Sequence, residues 1–212
     1  MLNDSSRNDA YEKAIKRAVE RKKGEKGMCE VLDAGAGSGI LSMFAARSGA
    51  DYVHACEQNG HMCDVGEETV CMNGYGLKIM FHNKDVRRLF TKESEGLISH
   101  GLKPDGNPPE MDKKSDVLVF EVFDSGLIGE GAFHIVGMAR HRLLKPDATL
   151  VPRAAKMFAA PIEYRFQNYQ TLDGKHVIDL TTANRWRYRC LLYTSDAADE
   201  GLGVDLGGRR II

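Results

Sequence analysis

The chain has 212 residues, of which 42% are hydrophobic, and its 29 Lys+Arg against 30 Asp+Glu leave a formal net charge of −1. That length builds one full domain, or one domain and part of another, and the charge balance removes any bulk electrostatic argument for nucleic acid or a membrane surface as partner. The sequence has no apolar run long enough to cross a bilayer, its opening MLNDSSRNDAYEKA is not a signal peptide, and its five scattered cysteines form no CxxC pair, so reduced thiols in a cytoplasmic or nuclear protein are expected.

In chain order, Ala10–Arg21 is predicted as an amphipathic helix with Tyr11, Ala14, Ile15, Ala18 and Val19 on one face, followed by a polar linker, KKGEKG. CEVLDAG reads as a buried strand, followed by a glycine loop and the helix GILSMFAARSG, which Gly49 can end. DYVHACE is a second strand, Gly60–Met72 a helix stopped by Asn73-Gly74, and KIMFHN a third strand. TKESEGLISHGLKPDGNPPEMDKKS reads as a surface insertion. DVLVFEV is a fourth strand, FHIVGMARHRLL a helix and ATLVP a fifth strand. This alternation implies an α/β fold, a parallel sheet with helices on both faces, over residues 1–152. KMFAAPIEYRF and HVIDL, separated by Asp173-Gly174, look like antiparallel strands opening a β-rich unit over 153–189. Residues 190–212, from CLLYTSDAAD to VDLGGRRII, resemble a translated sequencing-library adapter, so the native sequence is expected to stop near Arg189.

VLDAGAGSG ends a strand and opens a helix, and Gly35, Gly37 and Gly39 let backbone approach a ligand closely. The spacing is GxGxG, not the GxGxxG of dinucleotide sites, with Asp33 two residues ahead of the first glycine. It resembles the first motif of S-adenosylmethionine-dependent methyltransferases. Glu57, ending the next strand, stands where one carboxylate can accept both ribose hydroxyls. The bland alternatives are a helix cap for Asp33 and a solvated strand end for Glu57.

VLVFEVFDSGLIGEGAF then raises a charge problem: a buried strand runs into a loop carrying Glu121, Asp124 and Glu130. Like charges held together call for a cation. Loops at the carboxyl edge of such a sheet sit where ligands bind, and two carboxylates can clamp the planar, five-donor guanidinium of arginine. A solvated acidic loop is the alternative.

FEVFDSGLIGEGA resembles the double-glutamate loop of the protein arginine N-methyltransferases, and Asp124 with LIGEG is similar to the monomethylating members of that family. MLNDSSRNDAYEKAI, LDAGAGSGILSMFAARSGA and ARHRLLKPDATLVP are similar to the family's entry helix, cofactor loop and closing strand, so the resemblance runs from Met1 to about Tyr164. It implies a Rossmann-like methyltransferase domain followed by the start of a β-barrel domain, with S-adenosyl-L-methionine as cofactor. Glu121 and Glu130 would be catalytic. Arg7, Asp33, Gly35, Gly37 and Glu57 would bind the cofactor, with Asp85 in HNKDVRRL at the adenine edge. Asp124 would either narrow the substrate pocket or cap the loop. Implied partners are arginine-containing proteins, histones or Gly/Arg-rich chains, in a dimer or pseudo-dimer. Gly126 departs from the glutamate that the monomethylating pattern places there, and the family's lid helix and threonine-histidine-tryptophan loop are expected to lie beyond the ends of this sequence, leaving a weak or inactive fragment. The rival readings are a small-molecule methyltransferase of the same fold and a non-catalytic cofactor-binding fragment.

Overall fold

The computed structural model describes residues 2–94, 103–124, 127, 129–156, 171, 172, 178, 179 and 181. One compact unit runs as far as Ala155 and a second begins at Lys156.

Helix α1 is Ser5–Lys26, capped by the Asp4 side chain on the Arg7 amide and ended by Gly27 at φ +74°. Its buried residues, Tyr11, Ile15, Ala18, Val19 and Lys22, follow helical spacing; Ala14 is exposed. The helix is longer than predicted, and the expected linker is its last turns. The reason is long-range. The Lys22 ammonium lies 2.9 Å from Asp147, and Lys26 bridges Asp147 at 2.8 Å and Asp116 at 3.2 Å. These pairs hold the end of the helix to the sheet despite Gly24.

Strands β1 (Glu30–Ala34), β2 (Tyr52–Glu57), β3 (Ile79–Asn83), β4 (Ser115–Phe120) and β5 (Leu144–Val151) form one parallel sheet in the order β3-β2-β1-β4-β5. Helices α2 (Ile40–Arg47), α3 (Gly60–Met72) and α4 (Ala132–Arg142) supply the crossovers, with a 3₁₀ turn at Val86–Arg88. Period-two alternation splits the core into two layers. Val31, Val53, Val117 and Val119 pack with Tyr11, Ile15, Val19 and Ala45. Leu32, Ala34, Leu118 and Phe120 pack with Ile135, Ala139 and Leu143. Ala34 and Phe120 are register partners. The loops that begin at Gly35 and Glu121 therefore leave neighbouring strand ends, where the strand order reverses and such folds bind ligands.

The stretch predicted as a surface insertion is partly built into the core. Thr91 bridges Met111, Met111 is buried among Leu89 and Leu143, and the buried Lys103 is paired with Glu110 at 2.5 Å. No periodic signal marks these contacts; residues 95–102 lie outside the described set. In the second unit, β6 (Thr171–Leu172) pairs antiparallel with β7 (Ile178–Asp179), flanking the predicted Asp173-Gly174 turn. The proposed partner segment at 157–166 and the tail at 190–212 lie outside the described residues. No helix among them is long and apolar enough to cross a membrane.

Strands β2 and β3 place His54 Nδ1 3.0 Å from His82 Nε2, with the rings stacked. Burial and the neighbouring His82 push the His54 pKa down from 6.5 to about 4. The folded pKa is depressed, so between about 6.5 and 4 the unfolded chain binds the extra proton. Stability from this pair is present above that window and falls as pH drops through it. Denaturation midpoints should therefore decline from pH 7 to pH 5, and His54→Gln should flatten the decline. An equal slope in the variant would exclude this pair as the cause.

Candidate active site

The glycine loop is shaped by backbone that only glycine adopts at ease. Gly35, Gly37 and Gly39 have φ of +78°, +53° and +81°. A Cβ on Gly35 would lie 2.8 Å from Val122 Cγ1, so the loop after β1 is packed against the loop after β4. Glu57 does more than end β2. Its Oε2 accepts the Gly37 amide at 3.0 Å and its Oε1 accepts the Asn59 amide at 2.8 Å. It therefore ties the glycine loop to the start of α3.

Asp33 is fully buried and accepts from Ser42 Oγ at 2.7 Å, while its other oxygen, Oδ1, has no partner. Burial pushes its pKa up to about 6, with the Ser42 hydrogen bond opposing. Arg7 is also largely buried, and its Nε is without a partner. Its Nη2 stands 3.3 Å from Glu121 Oε2, and the exposures of the two side chains are 12% and 9%. One acceptor and one donor are thus left over, on groups close enough for the Arg7 charge to act on Asp33.

Glu121 opens the loop after β4 and is held by Arg7. Asp124 closes the loop on itself: Oδ1 accepts the Gly129 amide at 2.9 Å, and its carbonyl accepts the Leu127 amide at 2.9 Å. Any Cβ at position 129 would strike that carboxylate. Of the two readings of Asp124, the hydrogen bond favours the loop cap. Glu130 is exposed and directly precedes Gly131, the cap of α4, where the helix dipole favours a negative charge. Ser125, Gly126 and Ile128 lie outside the described residues, and so does the departure at Gly126.

Asp85 lies in an open cleft of about 340 Å³ with Gln58, Asn83, Lys84 and Arg88, at the carboxyl ends of β2 and β3. Both its oxygens are engaged by Arg87, which pairs through Nε at 2.9 and 3.0 Å and also through Nη2. That bond holds the Asp85 carboxyl below its ordinary range. Among the described residues no cluster of His, Cys, Asp and Glu could hold a metal ion, and Cys29, Cys56, Cys63 and Cys71 are free thiols.

Two residues escaped the sequence reading. Tyr11, expected only as apolar surface, donates its hydroxyl to the Phe120 carbonyl at 3.0 Å. Gly66, inside α3, faces the cofactor loop: a Cβ there would meet the Phe81 ring and lie 2.7 Å from the Gly37 carbonyl. A glycine in a helix interior was the available signal. Gly66→Ala should lower stability by about 1–3 kcal/mol, the usual cost of overpacking, and weaken S-adenosylhomocysteine binding. A gain in melting temperature, as helix propensity alone predicts, would contradict the contact.

A parallel sheet in this order, with a glycine loop after its central strand and an acidic residue ending the next, matches the Rossmann-like fold of S-adenosylmethionine-dependent methyltransferases. Residues 13–99 match the family described as Ribosomal protein L11 methyltransferase (PrmA), a stretch that stops short of the carboxylate loop. The chain is 39% identical over 163 residues to protein arginine N-methyltransferase 7 of Aedes aegypti, covering 77% of this chain and 22% of that protein. It is 37% identical to an arginine N(omega)-methyltransferase of Streptomyces achromogenes subsp. streptozoticus, over 74% of this chain and 37% of the relative. The heterotetrameric enzyme–prozyme complex of Trypanosoma brucei protein arginine methyltransferase 1 with AdoHcy superposes with a TM-score of 0.60. Its identity to this chain is 25%, over 88% of this chain and 52% of that one. Over the part that aligns, this sequence is similar to protein arginine N-methyltransferases, with the seventh member of that family prominent among its relatives. It spans about a quarter or less of the length of the protein arginine N-methyltransferase 7 relatives it matches.

Proposed function

We propose that the chain is the cofactor-binding part of a protein arginine N-methyltransferase. The observation that carries this reading is the half-buried Glu121, opening a carboxylate loop beside the glycine loop and held by Arg7. The residues fit the cofactor. Asp33 Oδ1 and Arg7 Nε are a spare acceptor and a spare donor suited to the ammonium and carboxylate of an amino acid, and Glu57 is suited to two ribose hydroxyls. When bound, S-adenosyl-L-methionine supplies a sulfonium methyl that passes to the guanidino nitrogen as the S–C bond breaks, leaving a neutral thioether and releasing one guanidinium proton to solvent.

The chain's own residues orient and polarise. Glu121 and Glu130 hold the guanidinium by paired hydrogen bonds and draw its positive charge toward themselves. The attacking nitrogen keeps more lone-pair character, so catalysis is by placement and preorganised charge more than by proton abstraction. The acceptor is an arginine in a histone or Gly/Arg-rich protein, and the product is monomethylarginine. The segment from residue 153 begins the barrel domain of a longer cytoplasmic or nuclear protein that works as a dimer or pseudo-dimer.

Incubation of the chain with S-adenosyl-L-methionine and matched peptides rich in arginine or lysine, with free small acceptors alongside, tests this. Mass spectrometry should find methyl groups on arginine alone. Transfer only to small acceptors would establish the rival enzyme class. S-adenosylhomocysteine binding without any transfer would establish a non-catalytic fragment.

A further inference from the structure

Arg7 and Tyr11 stand one turn apart on α1, so their side chains share a face. The Arg7 guanidinium carbon lies 5.1 Å from the centre of the Tyr11 ring, within the range at which an aromatic face holds a cation. The far end of the ring is fixed as well, by the hydroxyl's bond to the Phe120 carbonyl. Phe120 is the last residue of β4 and Glu121 follows it. Arg7 reaches the Glu121 carboxylate. These contacts close a circuit: Tyr11 supports Arg7, Arg7 holds the Glu121 side chain, and Tyr11 holds the backbone from which Glu121 springs. Tyr11 is 1% exposed, and burial, with the Glu121 charge adding, pushes its phenol well above the ordinary pKa, so it remains a donor. Filling this space needs only an apolar side chain; the aimed hydroxyl and the cation-bearing ring need tyrosine.

We propose that Tyr11 is a positioning residue that fixes the aim of Glu121 from two sides, through its backbone and through Arg7, and so sets the rate of methyl transfer. This inference rests on the reading of Glu121 as a guanidinium clamp.

The test uses the full 212-residue chain. Tyr11→Phe keeps the ring and removes the hydroxyl; Tyr11→Leu removes both contacts. Tyr11→Phe should lower kcat on an arginine peptide by about fivefold to tenfold, with KM and the S-adenosylhomocysteine Kd within about twofold. Tyr11→Leu should also weaken S-adenosylhomocysteine binding by about tenfold, because Arg7 loses its support. In a Glu121→Gln background, Tyr11→Phe should leave kcat unchanged, whereas general loosening would multiply the two losses. The Arg7 Nε–H NMR signal should exchange slowly in the parent and in Tyr11→Phe, and fast in Tyr11→Leu. An unchanged kcat in Tyr11→Phe, multiplied losses in the double variant, or a slow Arg7 signal in Tyr11→Leu overturns the proposal. If the parent neither binds S-adenosylhomocysteine nor transfers a methyl group to arginine, the functional reading fails, and the NMR comparison still decides whether Tyr11 holds Arg7.

Discussion

Glu121→Gln is expected to lower methyl transfer to an arginine peptide by about 10²–10³-fold, the usual effect of removing one preorganised electrostatic group. Glutamine keeps the volume and an oxygen for Arg7, so the sheet and its loops should survive; circular dichroism and the melting transition check that. What disappears is the negative charge beside the guanidinium, and with it the pull that leaves electron density on the attacking nitrogen. The loss should fall on kcat more than on KM, because the charge is worth most as the nitrogen becomes a nucleophile. A variant with full activity would remove Glu121 from the chemistry.

The second large effect belongs to Glu57. Glu57→Ala should weaken S-adenosylhomocysteine binding by about 10²-fold, near 2.7 kcal/mol, measured by calorimetry. Two losses combine. The ribose hydroxyls lose a charged acceptor, and the amides of Gly37 and Asn59 lose the oxygens that tie the loop to α3. Glu57→Gln retains one acceptor oxygen and should cost about tenfold. An unaltered Kd in Glu57→Ala would place the ribose elsewhere.

Much of this arrangement is written locally. The Asn73-Gly74 stop ends α3 where the sequence predicts, with Gly74 at φ +77°, because turn chemistry acts between near neighbours. The same holds for the strand–glycine–helix order around Gly35 and for the placing of Glu57, since each depends on one loop's geometry. What was not legible depends on distance. Lys22 looks like a solvent-facing lysine until Asp147, far along the chain, buries it. Asp116 is 1% exposed because Lys26 and Lys145 arrive from two other elements. Tyr11 looks like core filler until the sheet delivers the Phe120 carbonyl to its hydroxyl. The hold of Arg87 on Asp85 is local, and its aspartate–x–arginine pattern could have signalled it.

The clamp itself is tested most directly by a crystal structure of the chain with S-adenosylhomocysteine and an arginine peptide. The expected result is a guanidinium hydrogen-bonded to both Glu121 and Glu130, next to the cofactor sulfur. A guanidinium seated elsewhere, with the Glu130 carboxylate still in solvent, would contradict it.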